Sequence, residues 1–247
     1  MYVIYEPKGR AREYSPLACN LYMGCTHGCK YCYAPACMHK KSEEWHRESR
    51  VRADNVLDLF ERDVRKLELA KDTRRVLFCF LSDPYQPIEA DLHITRRSIA
   101  IAAQHGVKVD ILTKGDANLI EEDLDLMAMS DTHLGITLSF SKDSSRMEWE
   151  PMASTVQSRL NILRKAHEKG IYTWVSMEPV IIPSEALEVI KLAHPYVNFW
   201  KIGKLNHNKA VEAQVDWPKF REDAMALLDS LGLKGKYYVK EDLRNAS

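Results

Sequence analysis

The stretch Gly24-Cys25-Thr26-His27-Gly28-Cys29-Lys30-Tyr31-Cys32-Tyr33 contains three cysteines, separated by three residues and then by two. A tight loop with this spacing can direct three thiolates toward one site. Thiolates are the usual protein ligands of iron–sulfur clusters, and three of them hold only three irons of a four-iron cluster. The spacing therefore predicts a [4Fe-4S] cluster on Cys25, Cys29 and Cys32, with one iron open to another ligand.

Two other uses of these cysteines stay open at the level of sequence. A structural zinc ion takes four tetrahedral ligands and usually shows a second ligand pair downstream, which this chain lacks. His27 lies inside the loop and His39 belongs to no recognisable finger spacing. A thioredoxin-like use of Cys29 and Cys32 leaves Cys25 unexplained. The corresponding functional alternative is a non-enzymatic nucleic-acid binding module that carries zinc or a cluster.

Length and charge limit the class of protein. With 247 residues the chain is long enough for one sizeable core, so a single domain over residues 1–247 is predicted. Its 35 basic and 35 acidic residues give no net charge, so no whole-molecule field attracts nucleic acid or membrane. Residues 1–52 carry nine basic against five acidic residues, which is either a local polyanion surface or an ordinary solvated surface.

The expected location is the cytoplasm, without membrane contact. The amino terminus shows no basic region leading into an apolar stretch, and no apolar run approaches the roughly 18 residues of a membrane span. Six cysteines are too few for a disulfide scaffold, and a reducing compartment suits an oxidation-sensitive cluster. Cys19, Cys37 and Cys79 are predicted to be buried, inert thiols.

Beyond the cysteine loop, apolar runs alternate with helical patterns. Strands are expected at 18–23, 75–82, 108–113, 134–140, 172–177 and 197–202, and helices near 57–67, 93–105, 119–127, 156–167, 184–193 and 216–231. Expected helix N-caps are Ser154 or Thr155, Ser184 and Asp216. Because each crossover is a helix, the strands should be parallel. The fold class is α/β, a partial (β/α)6 barrel of the TIM type, with an extension at 1–17, a core at 18–205 and a carboxyl-terminal helix and cap at 206–247.

The chain resembles the radical S-adenosylmethionine superfamily, and within it the branch around spore photoproduct lyase. The resemblance is carried by the cysteine loop with Tyr31 and Tyr33 on either side of Cys32, by Ser82-Asp83, by Thr113-Lys114 and by Ser139. The blocks at 83–89, 149–151, 177–180 and 201–206 are more similar to short, uncharacterised relatives named photolyase-like.

This resemblance implies a reaction. S-adenosylmethionine would bind the open iron, and an electron from a flavodoxin- or ferredoxin-type donor would cleave it to methionine and a 5′-deoxyadenosyl radical. That radical would take a hydrogen atom from a substrate, predicted as nucleic acid or a nucleotide, with a peptide or protein partner as the alternative. The substrate contacts to test are Arg146, Glu148, Glu150, Glu178, Lys204 and His207.

Roles for single residues follow from what a cofactor bound at the cluster needs, and the reacting groups of parallel barrels lie at the carboxyl ends of strands. The predicted cofactor contacts are Tyr31 with adenine, Asp83 with the ammonium, Lys114 with the carboxylate, Ser139 with ribose or carboxylate, and Ser82. The predicted catalytic residues are Tyr33, Tyr85 and Glu178.

One departure from the repair lyase concerns its hydrogen-donor cysteine, which lies two residues before the Ser-Asp pair. Here that position is Phe80, and Cys79 stands one residue further back. Because successive strand residues face opposite sides, Cys79 is expected to point away from the barrel mouth. Repair of spore photoproduct is therefore not predicted.

Overall fold

The computed structural model describes residues 2–206 and 208–246, so the predicted substrate contact His207 lies outside the described residues. The strands are β1 Ile4–Tyr5, β2 Leu17–Cys19, β3 Tyr22–Met23, β4 Arg50–Val51, β5 Val76–Phe78, β6 Val109–Thr113, β7 His133–Thr137, β8 Thr173–Val180, β9 Phe199–Lys204 and β10 Tyr237–Val239. The α-helices are α1 Ala34–Cys37, α2 Ser42–Arg47, α3 Val56–Leu69, α4 Glu89–Leu92, α5 Ile94–Gln104, α6 Ala117–Met129, α7 Asp143–Trp149, α8 Val156–Glu168, α9 Pro183–Ala193, α10 Lys209–Glu212, α11 Trp217–Ser230 and α12 Glu241–Arg244. Short 3-10 turns cover Gly9–Glu13 and His194–Tyr196.

Eight strands form the main sheet, in the order β1-β2-β5-β6-β7-β8-β9-β10. Every neighbouring pair from β2 to β10 is parallel, and β1 alone pairs antiparallel at one end. The order has two ends among the described residues, so hydrogen bonding does not close the ring. The predicted α/β fold with a partial, parallel barrel is confirmed.

The sheet is larger than expected at the carboxyl-terminal side. The segment predicted as a helix and cap also contains β10, a seventh parallel strand, which pairs with β9. Backbone bonds fix this strand at both ends, from Trp200 N–H to the Lys236 carbonyl (3.0 Å) and from Lys240 N–H to the Ile202 carbonyl (2.9 Å). A three-residue strand has too short a pattern to be distinguished from a loop in sequence.

The first predicted strand, at 18–23, is divided in the structure. Residues 17–19 form β2 in the main sheet, whereas Tyr22–Met23 pairs antiparallel with Arg50–Val51 in a separate two-stranded sheet. The break coincides with Asn20, whose side-chain oxygen accepts hydrogen bonds from the backbone N–H groups of Phe80 and Leu81 (3.0 and 2.9 Å). The Asn20 side chain thus accepts the N–H groups that would otherwise donate to a neighbouring strand if the parallel pairing continued.

The helices follow the predicted pattern closely, with α3, α5, α6, α8, α9 and α11 at the six expected places. Asp216 and Thr155 are N-caps, accepting from the backbone N–H groups of Lys219 and Ser158. The prediction for Ser184 is wrong: α9 starts at Pro183, and its N-cap Ile182 makes no side-chain capping bond. Pro at the first helical position replaces the cap, because its ring fixes φ and it has no N–H to satisfy.

The buried core fills the space between helices and sheet. In β6, Val109, Ile111 and Thr113 are buried while the residues between them are partly exposed, which is the period of two expected for a strand. Gly135 on β7 permits close packing, since a Cβ atom there would lie 2.1 Å from Cε2 of Trp174. This packing holds the strand ends, and therefore the residues that follow them, in fixed positions.

Candidate active site

A cavity of about 810 Å³ opens at the carboxyl edge of the parallel strands. Its walls include Cys79 and Phe80 after β5, Thr113 and Lys114 at the end of β6, Thr137 of β7, Ser176 and Glu178 of β8, and Lys204 and Leu205 at the end of β9. The cysteine loop adds Lys30, Tyr31, Cys32 and Tyr33. The polar residues that follow successive strands thus converge on one cavity, as parallel barrels require.

The cysteine loop lies against one side of this cavity. Cys25 and Cys29 are buried, whereas Cys32 is partly exposed and lines the cavity wall. Gly24 and Gly28 have φ angles of +76° and +68°, and a Cβ atom at Gly24 would lie 2.2 Å from the Glu48 carbonyl oxygen. Glycine is therefore required at position 24 both by backbone conformation and by space.

Ser82 and Gln86 fasten the loop from the β5 side. The Ser82 hydroxyl donates to the Gly24 carbonyl (2.7 Å), and the Gln86 amide donates to that hydroxyl (2.7 Å). The Gln86 carbonyl oxygen accepts from the Thr26 N–H (3.3 Å). Ser82, a predicted cofactor contact, lines the cavity, but its hydroxyl donates to the cysteine loop rather than into the cavity. Sequence reasoning did not single out Gln86, whose role depends on contacts about 60 residues apart.

The three thiols carry pKa values raised by burial, which for Cys29 brings the pKa to about 11 although Lys114 lowers it in part. Burial therefore favours the protonated thiols, and ligation of a metal requires loss of their protons. Within the described ranges, no three His, Cys, Asp or Glu side chains converge closely enough to hold a single metal ion.

The donor set fits an iron–sulfur cluster. Three cysteines belong to one loop beside a large cavity, and thiolates are the characteristic ligands of such clusters. Each cysteine would ligate a different iron, so the three sulfur atoms need not surround one point. His27, weighed as a fourth zinc ligand, is buried with Nδ1 3.6 Å from Asp83 Oδ2. His39, the other one weighed, is exposed.

Asp83 braces the junction between β5 and β6. Its carboxylate accepts from the Tyr85 N–H (2.9 Å), the Thr113 hydroxyl (2.5 Å) and the Lys114 N–H (2.9 Å). Asp83 is buried and lines the cavity. The structure therefore brings this predicted cofactor contact to the cavity wall, with its orientation set by three protein donors.

Tyr31 and Lys114 meet at the wall between the cysteine loop and β6. The Lys114 ammonium donates to the Tyr31 hydroxyl (2.6 Å) and lies 4.8 Å from the centre of its ring. The Tyr31 hydroxyl in turn donates to Glu150, whose carboxylate also contacts Lys114 (3.4 Å) and Arg159 (2.6 Å). Burial would raise the pKa of Glu150, but Arg159, Lys114 and Tyr31 hold it at about 2. The carboxylate is therefore ionised although it is fully buried.

Glu178 lies at the end of β8 on the cavity wall. Its carboxylate accepts from the Lys240 ammonium (2.6 and 2.8 Å) and from the Tyr14 hydroxyl, which also contacts Ser176 (2.7 Å). A Cβ atom at Gly203 would lie 2.8 Å from Glu178 Cδ, so the neighbouring strand leaves room for this side chain. Sequence reasoning missed Tyr14 and Lys240, because nothing local indicates that both chain ends reach Glu178.

Of the other predicted site residues, Tyr33 lies on the cavity wall, whereas Tyr85 and Ser139 do not. Tyr33 lines the cavity with 47% of its surface exposed, and its hydroxyl donates to the Phe80 carbonyl (2.8 Å). Tyr85 does not line it: this predicted catalytic residue is fully buried, and its hydroxyl donates to Asp123 (2.8 Å). Ser139 is also buried away from the cavity wall, and its hydroxyl has no hydrogen-bond partner in the described part of the chain.

Cys79 lies just beyond the end of β5. β5 ends at Phe78, so the alternation of strand faces does not extend to Cys79, and both Cys79 and Phe80 line the cavity. Cys37, also predicted to be buried, is exposed. Of the unassigned thiols only Cys19 and Cys79 are buried as expected.

Among the predicted substrate contacts, Lys204 and Glu178 line the cavity. Arg146 and Glu150 do not, because both side chains are buried in the segment that follows β7. Glu148 is exposed and lies 4.0 Å from the Lys30 ammonium on the surface. Across 2–206 and 208–246, no helix combines the length and the apolar character needed to cross a bilayer.

Comparison with known proteins shows which family the chain is similar to. The family model described as "Radical SAM superfamily" matches residues 19–194, which is more than half of the chain. An uncharacterized protein of Methanocaldococcus jannaschii is 29% identical over 190 residues, covering 76% of this chain and 69% of the relative. An uncharacterized protein of Acidianus two-tailed virus is 29% identical over 189 residues, covering 70% and 59%. An uncharacterized protein of Mycobacterium tuberculosis is 25% identical, covering 66% and 48%, so the chain spans less than two thirds of the latter two relatives.

Solved structures of two different proteins share this fold. A spore photoproduct lyase variant with bound AdoMet and dinucleoside spore photoproduct has a TM-score of 0.68 and 14% identity, covering 95% of this chain and 78% of that one. Streptococcus suis SuiB bound to S-adenosylmethionine has a TM-score of 0.67 and 11% identity, covering 90% and 49%. At these identities the likeness shows the fold.

Proposed function

Because the chain belongs to the radical SAM superfamily, we propose that its cavity is a reaction chamber in which hydrogen is abstracted from a bound substrate. Members of this superfamily use a [4Fe-4S] cluster and S-adenosylmethionine. The observation that carries the proposal is that Cys32 of the three-cysteine loop forms part of the cavity wall. Residues 18–205 would supply the core of one domain extending over residues 1–247.

Cys25, Cys29 and Cys32 would hold three irons of the cluster. When bound, cluster and cofactor together supply a one-electron cleavage that produces a 5′-deoxyadenosyl radical, and the protein supplies position and exclusion of water. Lys114 and Asp83 on the cavity wall offer a cation for a carboxylate and an acceptor for an ammonium. Ser82 holds the loop from behind, and Ser139 stays a sequence-based prediction, since its hydroxyl lies away from the cavity wall.

For substrate class we favour nucleic acid or a nucleotide. The charged cavity-lining residues are Arg10, Lys30, Lys114, Lys204 and Lys240, against Asp83 and Glu178. Each of these cations has a carboxylate partner in the structure, so a phosphate-bearing ligand would bind by taking the place of such a partner, and the wall offers it five cationic donors. The likeness in fold to a lyase structure that contains a dinucleoside spore photoproduct points the same way.

In this proposal Tyr33 and Glu178 act directly on the substrate. Tyr33 is the more exposed of the tyrosines on the cysteine-loop side, so its ring is accessible to a ligand in the cavity. Glu178 is fixed by Tyr14 and Lys240, which gives the carboxylate one orientation. Tyr85 has no direct part, because it is buried against Asp123.

A peptide or protein substrate is the second candidate. The observation that favours it is the fold of SuiB, a structure of which contains the precursor peptide SuiA, with a TM-score of 0.66. The electron donor would be a low-potential protein of the flavodoxin or ferredoxin type, acting from the side of the cysteine loop. A non-enzymatic binding module is disfavoured by the family membership.

The test is anaerobic reconstitution with iron and sulfide, reduction with dithionite, and addition of S-adenosylmethionine. We expect 5′-deoxyadenosine, measured by chromatography, and more of it with an oligonucleotide than with a peptide of equal concentration if the substrate is nucleic acid. Its absence from fully loaded protein under all conditions would contradict the proposed reaction.

The ligand assignment has its own variants. Cys25→Ala should lose most of the visible absorption of the reconstituted cluster, since two thiolates hold a cubane poorly. Cys37→Ala, at an exposed cysteine five residues after Cys32 and at the end of α1, is the matched control and should keep that absorption. Equal absorption in Cys25→Ala and the parent protein would remove Cys25 from the ligand set.

A further inference from the structure

Glu150 is a fully buried carboxylate that the predicted substrate role does not explain. It follows α7 and contacts three side chains from three other parts of the chain. Tyr31 of the cysteine loop donates to Oε1, the Lys114 ammonium lies 3.4 Å from the same oxygen, and Arg159 of α8 lies 2.6 Å from Oε2. A buried charge with this set of partners connects the cysteine loop to β6 and α8.

The backbone around Glu150 is joined to the cysteine loop as well. The Trp149 carbonyl accepts from the Lys30 N–H (2.9 Å), and the Met152 N–H donates to the His27 carbonyl (3.1 Å). These two bonds lie on either side of Glu150 and grip the loop on both sides of Cys29. The segment 149–152, which includes the Trp-Glu-Pro block noted in the sequence, is therefore a clamp on the cysteine loop.

Arg146 keeps the clamp itself in shape. Its Nη1 atom donates to the carbonyls of Glu150, Pro151 and Ala153 at 3.1–3.2 Å, and Arg146 is buried. Its Nε atom donates to Asp143 (3.0 Å), which also accepts from the Val156 N–H. One guanidinium thus satisfies the carbonyls of a non-helical segment in which Glu150 and Ala153 are buried while Pro151 and Met152 are exposed.

We propose that Glu150 is a positioning residue that fixes the Tyr31 hydroxyl and the Lys114 ammonium at the wall where cluster and cofactor would bind. This proposal rests on the proposed function and deepens it. Two cations, Lys114 and Arg159, share one carboxylate, so a neutral residue at position 150 leaves two like charges close together without compensation. Lys114 would then turn toward the cavity and Tyr31 would lose its acceptor, and the cysteine loop would lose its side-chain link to the clamp.

The variant Glu150→Gln tests this, because it removes the charge and keeps the shape. Its matched control is Asp123→Asn, which alters another buried carboxylate with a tyrosine and an arginine as partners, Tyr85 and Arg96. The first readout is hydrogen exchange in metal-free protein. We expect the Lys30 and Met152 amides to exchange about tenfold faster in Glu150→Gln than in the parent. In the control they should exchange at the parent rate.

The second readout is the reduction potential of the reconstituted cluster. Loss of a negative charge beside the cysteine loop stabilises the more negative, reduced form, so Glu150→Gln should shift the midpoint potential upward, and Asp123→Asn should leave it unchanged. Unchanged amide exchange together with an unchanged potential would overturn the proposal. A parent protein that binds no cluster would instead overturn the proposed function, while the exchange measurement would still decide the role of Glu150.

Tyr31→Phe provides a milder variant if Glu150→Gln does not fold. It removes only the hydroxyl that joins Glu150 and Lys114 and keeps the ring under the ammonium. We expect the Lys30 amide to exchange faster than in the parent, by a smaller factor than in Glu150→Gln. Exchange at the parent rate in this variant would likewise contradict a positioning role acting through Tyr31.

Discussion

Lys201 of β9 shows how a single, partly buried charge can be held by backbone oxygens. Its ammonium donates to the carbonyls of Glu13 and Tyr14 (3.2 and 2.6 Å), and it lies over the rings of Tyr14 and Trp174 (5.0 and 5.3 Å). Burial is the main cause that lowers the pKa of Lys201 to about 8, with the nearby Lys240 ammonium acting in the same direction. Folding therefore favours the neutral amine at this position.

The sign of the resulting pH dependence follows from proton counting. Between pH 8 and the ordinary lysine pKa near 10.5, the unfolded chain binds a proton at Lys201 that the folded protein has released. The contribution of Lys201 to the unfolding free energy thus increases with pH across that interval, by at most about 1.4 kcal/mol per pH unit. Lys201→Met removes this contribution. We therefore expect the unfolding free energy of the parent, relative to that of the variant, to increase from pH 8 to pH 9.5. Urea titrations at a series of pH values measure it, and a constant difference would contradict the lowered pKa.

The sequence predicted which residues reach the cavity wall better than it predicted which side chains those residues contact. Cys32, Asp83 and Lys114 reach one cavity wall, because each follows a strand or lies in the loop beside it. Tyr85, chosen on the same reasoning, turns into the core, since Asp123 offers its hydroxyl a buried acceptor. The direction of a side chain after a strand depends on which partner lies within reach, and that partner here is 38 residues away.

At the scale of elements, Thr155 provides a test of helix capping in α8. Its hydroxyl accepts from the Ser158 N–H (3.1 Å), which satisfies one of the free donors at the start of the helix. Thr155→Ala should lower the unfolding free energy by about 1 kcal/mol, measured by urea denaturation. Ser184→Ala is the control, since Ser184 is exposed and makes no capping bond to α9. Its unfolding free energy should stay within about 0.5 kcal/mol of the parent, and similar losses in both variants would contradict the capping assignment.

Helices were predictable from the chain because their signals are local. The apolar stripe of α11 and its cap at Asp216 lie within one stretch of 15 residues, and the structure shows both. The ends of strands were less predictable, because they depend on partners elsewhere. β2 ends where Asn20 bonds residues 80 and 81, and β5 is only three residues long although the apolar run continues beyond it. The clamp at 149–152 has no periodic pattern, so only the structure identifies it.

On the scale of the whole molecule, the two ends of the chain meet at one end of the cavity. Glu13, in the 3-10 turn before β2, accepts from the Tyr238 hydroxyl (3.1 Å) and from the Glu241 N–H (2.9 Å). Lys240 lies between these contacts and pairs with both Glu13 (3.6 Å) and Glu178 (2.6 Å). Through this one ammonium, the amino-terminal extension, the sheet and the carboxyl-terminal segment are connected.

Lys240→Met should therefore destabilise the fold as a whole as well as the site. Only 6% of the Lys240 side chain is exposed, and its loss leaves the largely buried carboxylates of Glu178 and Glu13 without their cation. Charged hydrogen bonds of this kind contribute about 2–3 kcal/mol, so we expect an unfolding free energy lower by about that amount in urea denaturation. Lys219→Met is the matched control, because Lys219 is 68% exposed and pairs with Asp223 along one helix, where about 0.5 kcal/mol is expected. If Lys240→Met unfolded at the same urea concentration as Lys219→Met, the two chain ends would not depend on this ammonium, and the orientation of Glu178 would require another cause.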